Sequence, residues 1–265
     1  MTGGGPQGRV GRDGAALAGL AAPLAPLSLA EVTESAALQT RVDRKYLIPT
    51  ATLTRLVAGL GPGLGVLAID GRRVFGYESI YFDTPDFGMF RDHVQGRRLR
   101  TKVRTRRYVD SGLTMLEVKE KGGRGQTVKH RTPWSGADLD RLVGRDDGRG
   151  FVDAVLAPRH RADDLRPALV SRYRRTTFVD PDAGLRLTCD VDLSFDGSGR
   201  SVQVPAGRVL VETKSATGRS EADRLLHRLG QREIPISKYC AGVALTAGLP
   251  ANRWHRTLTR YLAAA

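Results

Sequence analysis

Residues 98–131 read RLRTKVRTRRYVDSGLTMLEVKEKGGRGQTVKHR, and this stretch decides the fold class. Charged and apolar residues alternate through 98–108, 113–121 and 126–132, which is the period of a β-strand. The turn-forming runs Asp110-Ser111-Gly112 and Gly122-Gly123-Arg124-Gly125 separate the three segments. The stretch therefore predicts three antiparallel strands joined by two hairpin turns.

The same alternation recurs along the chain, with helical patterns between the alternating segments. It predicts further strands at 42–48, 74–82, 169–179, 184–193 and 207–214, giving about eight in all. Helices are predicted near 50–60, 137–144, 150–157 and 252–263, from Ser220 to about Leu229, and from Ser237 through Ala247. Ser28 and Glu31 have capping-box spacing for a short helix to about Leu38. Residues 1–26 are rich in Gly, Ala and Pro and are predicted to be a disordered leader, which leaves 27–265 as a single domain.

One face of each predicted strand is charged, because residues two apart share a face. The charged sets are Asp43 and Lys45; Lys102, Arg104 and Arg106; Glu117, Lys119 and Lys121; Lys129 and Arg131; Tyr173 and Arg175; Arg186, Thr188, Asp190 and Asp192; and Glu212 and Lys214. The opposite faces are mainly apolar, as in Leu116 and Val118 or Val209 and Val211. The chain therefore repeats a strand with one charged and one apolar side.

A charged strand face can simply be exposed to water, as in an ordinary half-solvated sheet. Here the charged faces are mostly basic with isolated acids, and about eight strands are enough to close a barrel. Helices would cover the apolar outside, and a charged interior would need a polyanionic ligand to offset its desolvation. The sequence predicts an α+β fold: an eight-stranded antiparallel β-barrel tunnel with a charged lumen, surrounded by helices.

The net charge points to an anionic partner. The 265 residues carry a formal charge of +14, and the isoelectric point is about 10.4. Such an excess suits nucleic acid, a membrane surface or a phosphorylated ligand. Nucleic acid is disfavoured, because aromatic residues make up only 6% and no RNP-like strand or helix-turn-helix signature is present.

Cysteine usage and hydropathy indicate the cellular compartment and the relation of the chain to membranes. Cys189 and Cys240 form neither a metal-binding motif nor a disulfide framework, and a reducing cytoplasm is the expected compartment. No stretch approaches the roughly 20 apolar residues that span a bilayer. We therefore expect a cytoplasmic protein without a transmembrane segment.

Short motifs follow one another in order from about residue 38 to residue 247. They are Arg41-Val42-Asp43-Arg44-Lys45-Tyr46, Ser79-Ile80-Tyr81-Phe82-Asp83-Thr84, Lys102-Val103-Arg104-Thr105-Arg106, Leu116-Glu117-Val118-Lys119, Val128-Lys129-His130-Arg131, Tyr173-Arg174-Arg175, Leu185-Arg186-Leu187-Thr188, Leu210-Val211-Glu212-Thr213-Lys214 and Ser237-Lys238-Tyr239. The ordered set resembles the VTC domain, the polyphosphate polymerase domain of the vacuolar transporter chaperone complex. That domain belongs to the triphosphate tunnel metalloenzyme group, akin to CYTH domains, and the resemblance implies an eight-stranded antiparallel tunnel.

The resemblance implies roles for individual residues. It implies catalytic roles for Lys238, Glu212, Arg104 and Arg106. Glu212 matches the ligand of the catalytic metal, with Asp190 and Glu117 as further candidates. The implied phosphate-binding residues are Lys45, Lys102, Arg104, Arg106, Lys119, Lys129, Arg131, Arg175, Arg186, Lys214 and His93. The implied cofactor is Mn²⁺ or Mg²⁺, which take oxygen ligands and bridge phosphates. The implied ligands are ATP and polyphosphate or tripolyphosphate.

Three positions depart from the family pattern. His93, with Arg91 nearby, stands where eukaryotic members have an arginine, and Pro235 replaces a lysine three positions before Lys238. Asp43 stands where related tunnels often carry Glu. These changes bear on the reaction more than on phosphate binding.

Structural interpretations stand beside several of the functional ones. Glu117 and Glu212 could be ion-pair partners of nearby cations, and Asp190 and Asp192 could be strand-end charges. Tyr81 and Tyr173 are interpreted as packing residues.

Four functions remain after this reading. The first is a metal-dependent polyphosphate polymerase that transfers the γ-phosphate of ATP to a growing chain. The second is a hydrolase of tripolyphosphate or a nucleoside triphosphate, which must admit water to the reacting phosphate. The third is a non-catalytic module that binds polyphosphate or nucleotides. The fourth, a nucleic-acid-binding protein, is the least favoured, because acids on the charged faces would repel a nucleic-acid backbone.

Overall fold

Antiparallel strands with helices between them form the fold in a computed structural model, which describes residues 11–37, 42–121, 127–134, 146–156, 159–215 and 219–262. The strands are β1 (Ala25–Leu27), β2 (Val42–Pro49), β3 (Gly65–Leu67), β4 (Phe75–Asp83), β5 (Arg100–Tyr108), β6 (Thr114–Lys121), β7 (Thr127–Pro133), β8 (Arg166–Asp180), β9 (Leu185–Gly197), β10 (Arg200–Gln203) and β11 (Arg208–Ser215). The main helices are α1 (Arg12–Ala21), α2 (Leu29–Ala37), α3 (Thr50–Gly59), α4 (Gly88–Val94), α5 (Asp146–Leu156), α6 (Glu221–Arg228) and α7 (Lys238–Ala247). Shorter helical turns cover Ala162–Asp164, Asn252–Trp254, His255–Thr257 and Leu258–Leu262.

The eight predicted strands are confirmed as β2, β4 to β9 and β11, and the α+β class is confirmed with them. The alternating pattern was decisive because it sets which face of each strand meets the core. The predicted helices near 50–60 and 150–157, and those beginning at Ser220 and Ser237, correspond to α3, α5, α6 and α7. The predicted helix at 137–144 and the turn at 122–125 lie outside the described residues.

The chain divides into two compact units. The first comprises Met1–Val74, Arg174–Asp192 and Ala206–Ile234, and the second comprises Phe75–Tyr173, Leu193–Pro205 and Pro235–Ala265. Strands β8 and β9 contribute residues to each. The prediction of a single domain over 27–265 stays a prediction.

Strand order places the charged motifs on neighbouring strands within each unit. In the first unit the order is β2, β11, β9 and β8, and Lys45 lies opposite Glu212, which lies opposite Thr188. In the second unit the order is β8, β4, β5, β6 and β7, and Arg104 lies opposite both Tyr81 and Glu117. The end strands of the full order are β2 and β7, so the sheet of the described residues is not closed by hydrogen bonds.

The apolar strand faces form the cores, as the alternation predicts. In the first unit Ile48, Val209, Val211 and the inward residues of β9 pack with Leu53 and Leu56 of α3. In the second unit the core consists of Ile80, Phe82, Met89, Val103, Leu116, Val118, Trp134, Val152, Leu156, Ala162 and Leu165. Because each core takes one side of its strands, the charged residues are left together on the other side. No helix in the described part of the chain is long and apolar enough to cross a membrane.

The disordered leader predicted for residues 1–26 is wrong for residues 12–26, which include helix α1 and the start of strand β1. Helix α1 buries Leu17 and Ala21 completely in the core of the first unit, and Leu20 packs beside them. Asp13 accepts hydrogen bonds from the Gly207 amide at 2.7 Å and from the Thr50 hydroxyl at 3.3 Å. The Gly- and Pro-rich composition does not indicate this helix, because α1 is stabilised by burial of its apolar side chains rather than by helix propensity.

Serine caps begin three helices as the sequence predicts. Ser28 and Glu31 bond each other's backbone amides at 3.2 and 2.7 Å, and Ser237 Oγ accepts from the Cys240 amide at 3.4 Å. At α6, Ser220 Oγ accepts from the Asp223 amide at 3.1 Å, and Asp223 accepts from the Ser220 amide at 2.8 Å. Each cap satisfies amides that lack a partner within their helix.

Asp223 also joins α6 to the sheet. Its carboxylate is buried and accepts from the Tyr46 hydroxyl at 2.9 Å and the Thr213 hydroxyl at 2.7 Å. Burial raises the pKa of Asp223, but these hydrogen bonds outweigh burial and lower it below its usual value. One carboxylate therefore links β2, β11 and the start of α6.

We predict that Asp223→Ala lowers the free energy of unfolding by about 3 kcal/mol, because it leaves several buried donors without an acceptor. Chemical denaturation with urea measures this change. Asp182→Ala, which removes an exposed turn carboxylate, serves as the matched control and should change the free energy by less than about 0.5 kcal/mol. Equal losses in the two variants would contradict the structural role of Asp223.

Helix α4 is held by a buried carboxylate and a histidine. Asp83, the last residue of β4, accepts from the amides of Met89 at 2.8 Å and Phe90 at 3.0 Å, and from the Tyr239 hydroxyl of α7. His93 Nε2 lies 3.0 Å from the Thr101 carbonyl oxygen. Burial first, and then the charge of Lys102, lower the pKa of His93 to about 3, so its imidazole is neutral at physiological pH.

Because the folded state resists protonation of His93, the unfolded chain binds more protons below about pH 6.5, and stability falls as pH drops. From about pH 7 to about pH 5 this amounts to about 2 kcal/mol. We predict that His93→Gln, whose amide can still donate to Thr101, loses correspondingly less stability over the same range. Urea unfolding at both pH values tests this. An unchanged pH dependence in the variant would refute the low pKa.

Candidate functional site

A nearly buried carboxylate lies at the centre of the charged face in the second unit. Glu117 is 2% exposed, and its Oε2 lies 2.5 Å from Arg104 Nη2 and 2.7 Å from Arg104 Nε. Lys129 contacts the other carboxylate oxygen. Burial alone would raise the pKa of Glu117, but Arg104, Arg106 and Lys129 outweigh burial and lower it to about 2. The geometry therefore gives Glu117 the role of an ion-pair partner that orients two predicted phosphate ligands.

Two tyrosines orient the predicted catalytic arginines. Arg104 Nη1 donates to the Tyr81 hydroxyl at 3.0 Å, and Arg106 Nη2 donates to the Tyr173 hydroxyl at 2.9 Å. Lys238 Nζ lies 4.4 Å from the centroid of the Tyr173 ring, within range of a cation–π interaction. Tyr81 and Tyr173 are thus more than packing residues. Single-sequence reasoning missed this because the contacts depend on strand register.

The phenol of Tyr81 interacts electrostatically with Arg104, Arg106 and Lys238. Burial opposes its ionisation, but the positive charges of Arg104, Arg106 and Lys238 outweigh burial and lower its pKa. The structure therefore brings the three predicted catalytic cations of this unit to one location.

A further predicted phosphate ligand, Lys102 of β5, contacts the start of α7. Lys238 follows the cap residue Ser237, and Lys102 Nζ donates to Ser237 Oγ at 2.9 Å. Ser237 therefore holds together the start of α7 and strand β5.

The remaining predicted ligands of this unit lie on β6 and β7, with one exception. Lys119 is exposed and lies opposite both Lys102 and Lys129, and Arg131 is exposed opposite Glu117. His93 instead has a backbone partner and no charge at neutral pH. This geometry does not support its predicted phosphate-binding role.

Glu212 is the central acid of the charged face in the first unit. Its carboxylate contacts Lys214 Nζ, which also lies 3.0 Å from Asp43 Oδ1. Burial would raise the pKa of Glu212, but Lys214, Lys45 and Arg175 outweigh burial and hold it well below the usual range. Arg186 lies opposite Lys214 on the neighbouring strand. Glu212 is therefore an ionised carboxylate among four predicted phosphate ligands.

The Asp190 carboxylate forms a bidentate ion pair with Arg175. Arg175 Nε and Nη2 donate to its two carboxylate oxygens at 2.5 and 2.8 Å, and Asp190 is 1% exposed. Such bidentate pairs are among the stronger side-chain interactions. Asp192 has a positive φ of 52° and lies 3.9 Å from Arg174 Nε. The geometry thus favours an ion-pair role for Asp190 over its predicted metal-ligand role.

The described residues contain no group of three or more His, Cys, Asp or Glu side chains that could hold a metal ion by themselves. Glu212 and Asp43 nevertheless offer carboxylate oxygens on either side of Lys214. Mg²⁺ is commonly bound by one or two carboxylates together with substrate phosphates. The donor set therefore fits a divalent metal that is bound jointly with a phosphate chain.

Solved structures provide distant likenesses. A candidate adenylate cyclase from Bacillus halodurans is 14% identical, over 75% of this chain and 94% of its own, with a TM-score of 0.45. The PH1819 protein of Pyrococcus horikoshii is 13% identical, over 78% and 98%, with a TM-score of 0.45. A Hippeastrum protein with a dominant triphosphatase activity is 13% identical, over 80% and 99%, also with a TM-score of 0.45.

No curated protein matches the chain. The family model of the VTC domain, in contrast, matches residues 40–247, which is most of the chain and nearly the same interval as the ordered motifs. The match also contains both charged faces and the start of α7. The chain therefore belongs to the VTC domain family.

Proposed function

We propose that this chain is a metal-dependent polyphosphate polymerase that transfers the γ-phosphate of ATP to a growing polyphosphate chain. The observation that carries the proposal is the convergence of Arg104, Arg106 and Lys238 around Tyr81 and Tyr173. Membership of the VTC domain family supports the choice of substrate.

The arginines are oriented before any ligand binds. Arg104 is held by Glu117 and Tyr81, and Arg106 is held by Ser79 Oγ at 3.2 Å and by Tyr173. Phosphoryl transfer depends mainly on positioning and on neutralising charge at the non-bridging oxygens. Guanidinium groups with fixed orientation supply both without reorganising during the reaction.

Lys238 provides a charge of a different kind. It lies in the first turn of α7, where a cation is disfavoured by the helix dipole. An anionic phosphate bound there would be attracted both by Lys238 and by the helix terminus. We assign to Lys238 the binding of the phosphate that is transferred.

Glu212 is the proposed ligand of the divalent metal. A bound Mg²⁺ or Mn²⁺ would neutralise phosphate charge and help to orient the leaving group. The low pKa of Glu212 keeps its carboxylate ionised and able to act as an oxygen ligand at any physiological pH. Lys45, Lys214, Arg175 and Arg186 would bind phosphate oxygens around it.

The proposal predicts that the purified full chain makes a phosphate ladder from ATP in the presence of Mn²⁺, visible on a urea gel and removed by an exopolyphosphatase. Omission of ATP is the control. Orthophosphate release without a ladder would replace polymerase with hydrolase. Stabilisation by tripolyphosphate without turnover in either Mn²⁺ or Mg²⁺ would replace it with a binding module.

Glu212→Gln should reduce the rate of polymer synthesis by about a hundredfold or more, because the amide is a poor metal ligand. Binding of tripolyphosphate without metal should not weaken, since the variant removes a negative charge from a cationic face. Glu34→Gln, at an exposed carboxylate of α2, is the matched control. Full synthesis by the Glu212 variant would refute the metal role.

A further inference from the structure

A largely exposed group of arginines in the second unit forms no ion pair with an acidic side chain of the described residues. It consists of Arg97, Arg98, Arg100, Arg159 and Arg253, and we call it the arginine rim. Backbone contacts hold it together: Arg159 Nη1 donates to the Leu99 carbonyl at 2.8 Å, and Arg100 Nη1 donates to the Arg97 carbonyl at 2.5 Å. Arg253 approaches Gly96 in the same loop.

Some exposed arginines elsewhere in the described residues form ion pairs with nearby carboxylates. Arg172 contacts Glu78 and Asp196, and Arg224 and Arg228 both contact Glu221. In the described part of the structure, no carboxylate forms an ion pair with an arginine of the rim. Five guanidinium groups without an ion-pair partner in the described ranges create a strongly positive local potential. The low pKa of His93 agrees with this, because Arg100 and Arg253 contribute to it.

The arginine rim continues a cationic row along β5. Arg100, Lys102, Arg104 and Arg106 lie on one face of that strand, spaced by about 7 Å. Towards Arg100 the opposing residues are Lys121 and Lys119, whereas Glu117 opposes Arg104. Glu117 is therefore the last acidic residue opposite this face of β5 in the direction of Arg100. The local positive charge increases along β5 from Arg104 towards the arginine rim.

We propose that the arginine rim binds the distal segment of a long polyphosphate chain whose other end lies along β5. This inference rests on the proposed function and adds a second contact region for the polymer. A linear row of cations that leads from the catalytic arginines to an exposed cluster suits a long, flexible polyanion.

Other polyanions fit the arginine rim less well. Its loops carry no exposed aromatic ring in the described residues on which a nucleic-acid base could stack, since Trp254 is buried. Leu99 is its one markedly exposed large apolar side chain, at 38%, so little apolar surface is available for insertion into a membrane. Direct continuity with the β5 row favours the polymer.

The test compares two triple variants of the full chain. Arg97→Ser, Arg98→Ser and Arg159→Ser together remove most of the exposed rim charge, while Arg55→Ser, Arg200→Ser and Arg232→Ser remove the same charge from exposed arginines on other segments. The affinities of both variants and the wild type for long-chain polyphosphate and for tripolyphosphate are measured at low and moderate salt. Circular dichroism confirms folding of each variant.

We expect the rim variant to bind long-chain polyphosphate about tenfold more weakly, with a shallower salt dependence, because fewer counterions are released. Its affinity for tripolyphosphate should match that of the wild type. Equal losses in the two triple variants, or an unchanged affinity for the long chain, would overturn the inference while leaving the phosphate ladder intact. Rim-dependent binding of RNA or of phosphatidylserine vesicles that long-chain polyphosphate cannot displace would overturn the choice of polymer.

A wild-type chain that binds neither tripolyphosphate nor long-chain polyphosphate would refute the proposed function itself, and the rim inference with it. A ladder with normal tripolyphosphate binding, combined with an ineffective rim variant, would refute the rim inference alone.

Discussion

Repulsion between closely spaced cations is the constraint on which the rest of the structure depends. On β5, β6 and β7, one strand face carries many basic side chains and one carboxylate. The basic residues are Arg100, Lys102, Arg104, Arg106, Lys119, Lys121, Lys129 and Arg131. Glu117 is placed where it can contact Arg104 and Lys129 together, and its low pKa measures how strongly the surrounding positive field favours its charge. Without that carboxylate, folding would have to bring Arg104 and Lys129 together unscreened.

Glu212 and Asp190 reduce the repulsion between neighbouring cations in the first unit. Asp190 takes up Arg175 in a bidentate pair, and Glu212 shares Lys214 with Asp43. Buried ion pairs add little net stability, because desolvation offsets much of their attraction. Their contribution is geometric, since each one fixes the direction of a cation that would otherwise be mobile. The apolar cores on the opposite strand faces supply the stability that such an arrangement requires.

The sequence was sufficient for the strands and for the side of each strand that is charged, because both follow from a period of two. It was also sufficient for the caps at Ser28, Ser220 and Ser237, which are local. It was insufficient for Tyr81 and Tyr173, whose hydroxyl partners are set by strand register and by residues distant in the chain. The burial of α1 and the neutrality of His93 likewise depend on tertiary surroundings that composition does not encode.

The distribution of acids also bears on what the charged faces can bind. Each carboxylate that falls on them has a cationic partner within its own unit, so the acids orient cations and leave a net positive charge to attract a ligand. A nucleotide's triphosphate and a polyphosphate chain share the same repeating anionic group, and oriented guanidinium groups bind that group irrespective of what is attached to it. Selection between the two substrates must therefore depend on the length of the phosphate chain or on the group attached to its end. Under the proposed function, a row of cations that extends beyond the proposed catalytic arginines would favour the longer chain over the shorter nucleotide, because each additional phosphate would meet another positive charge.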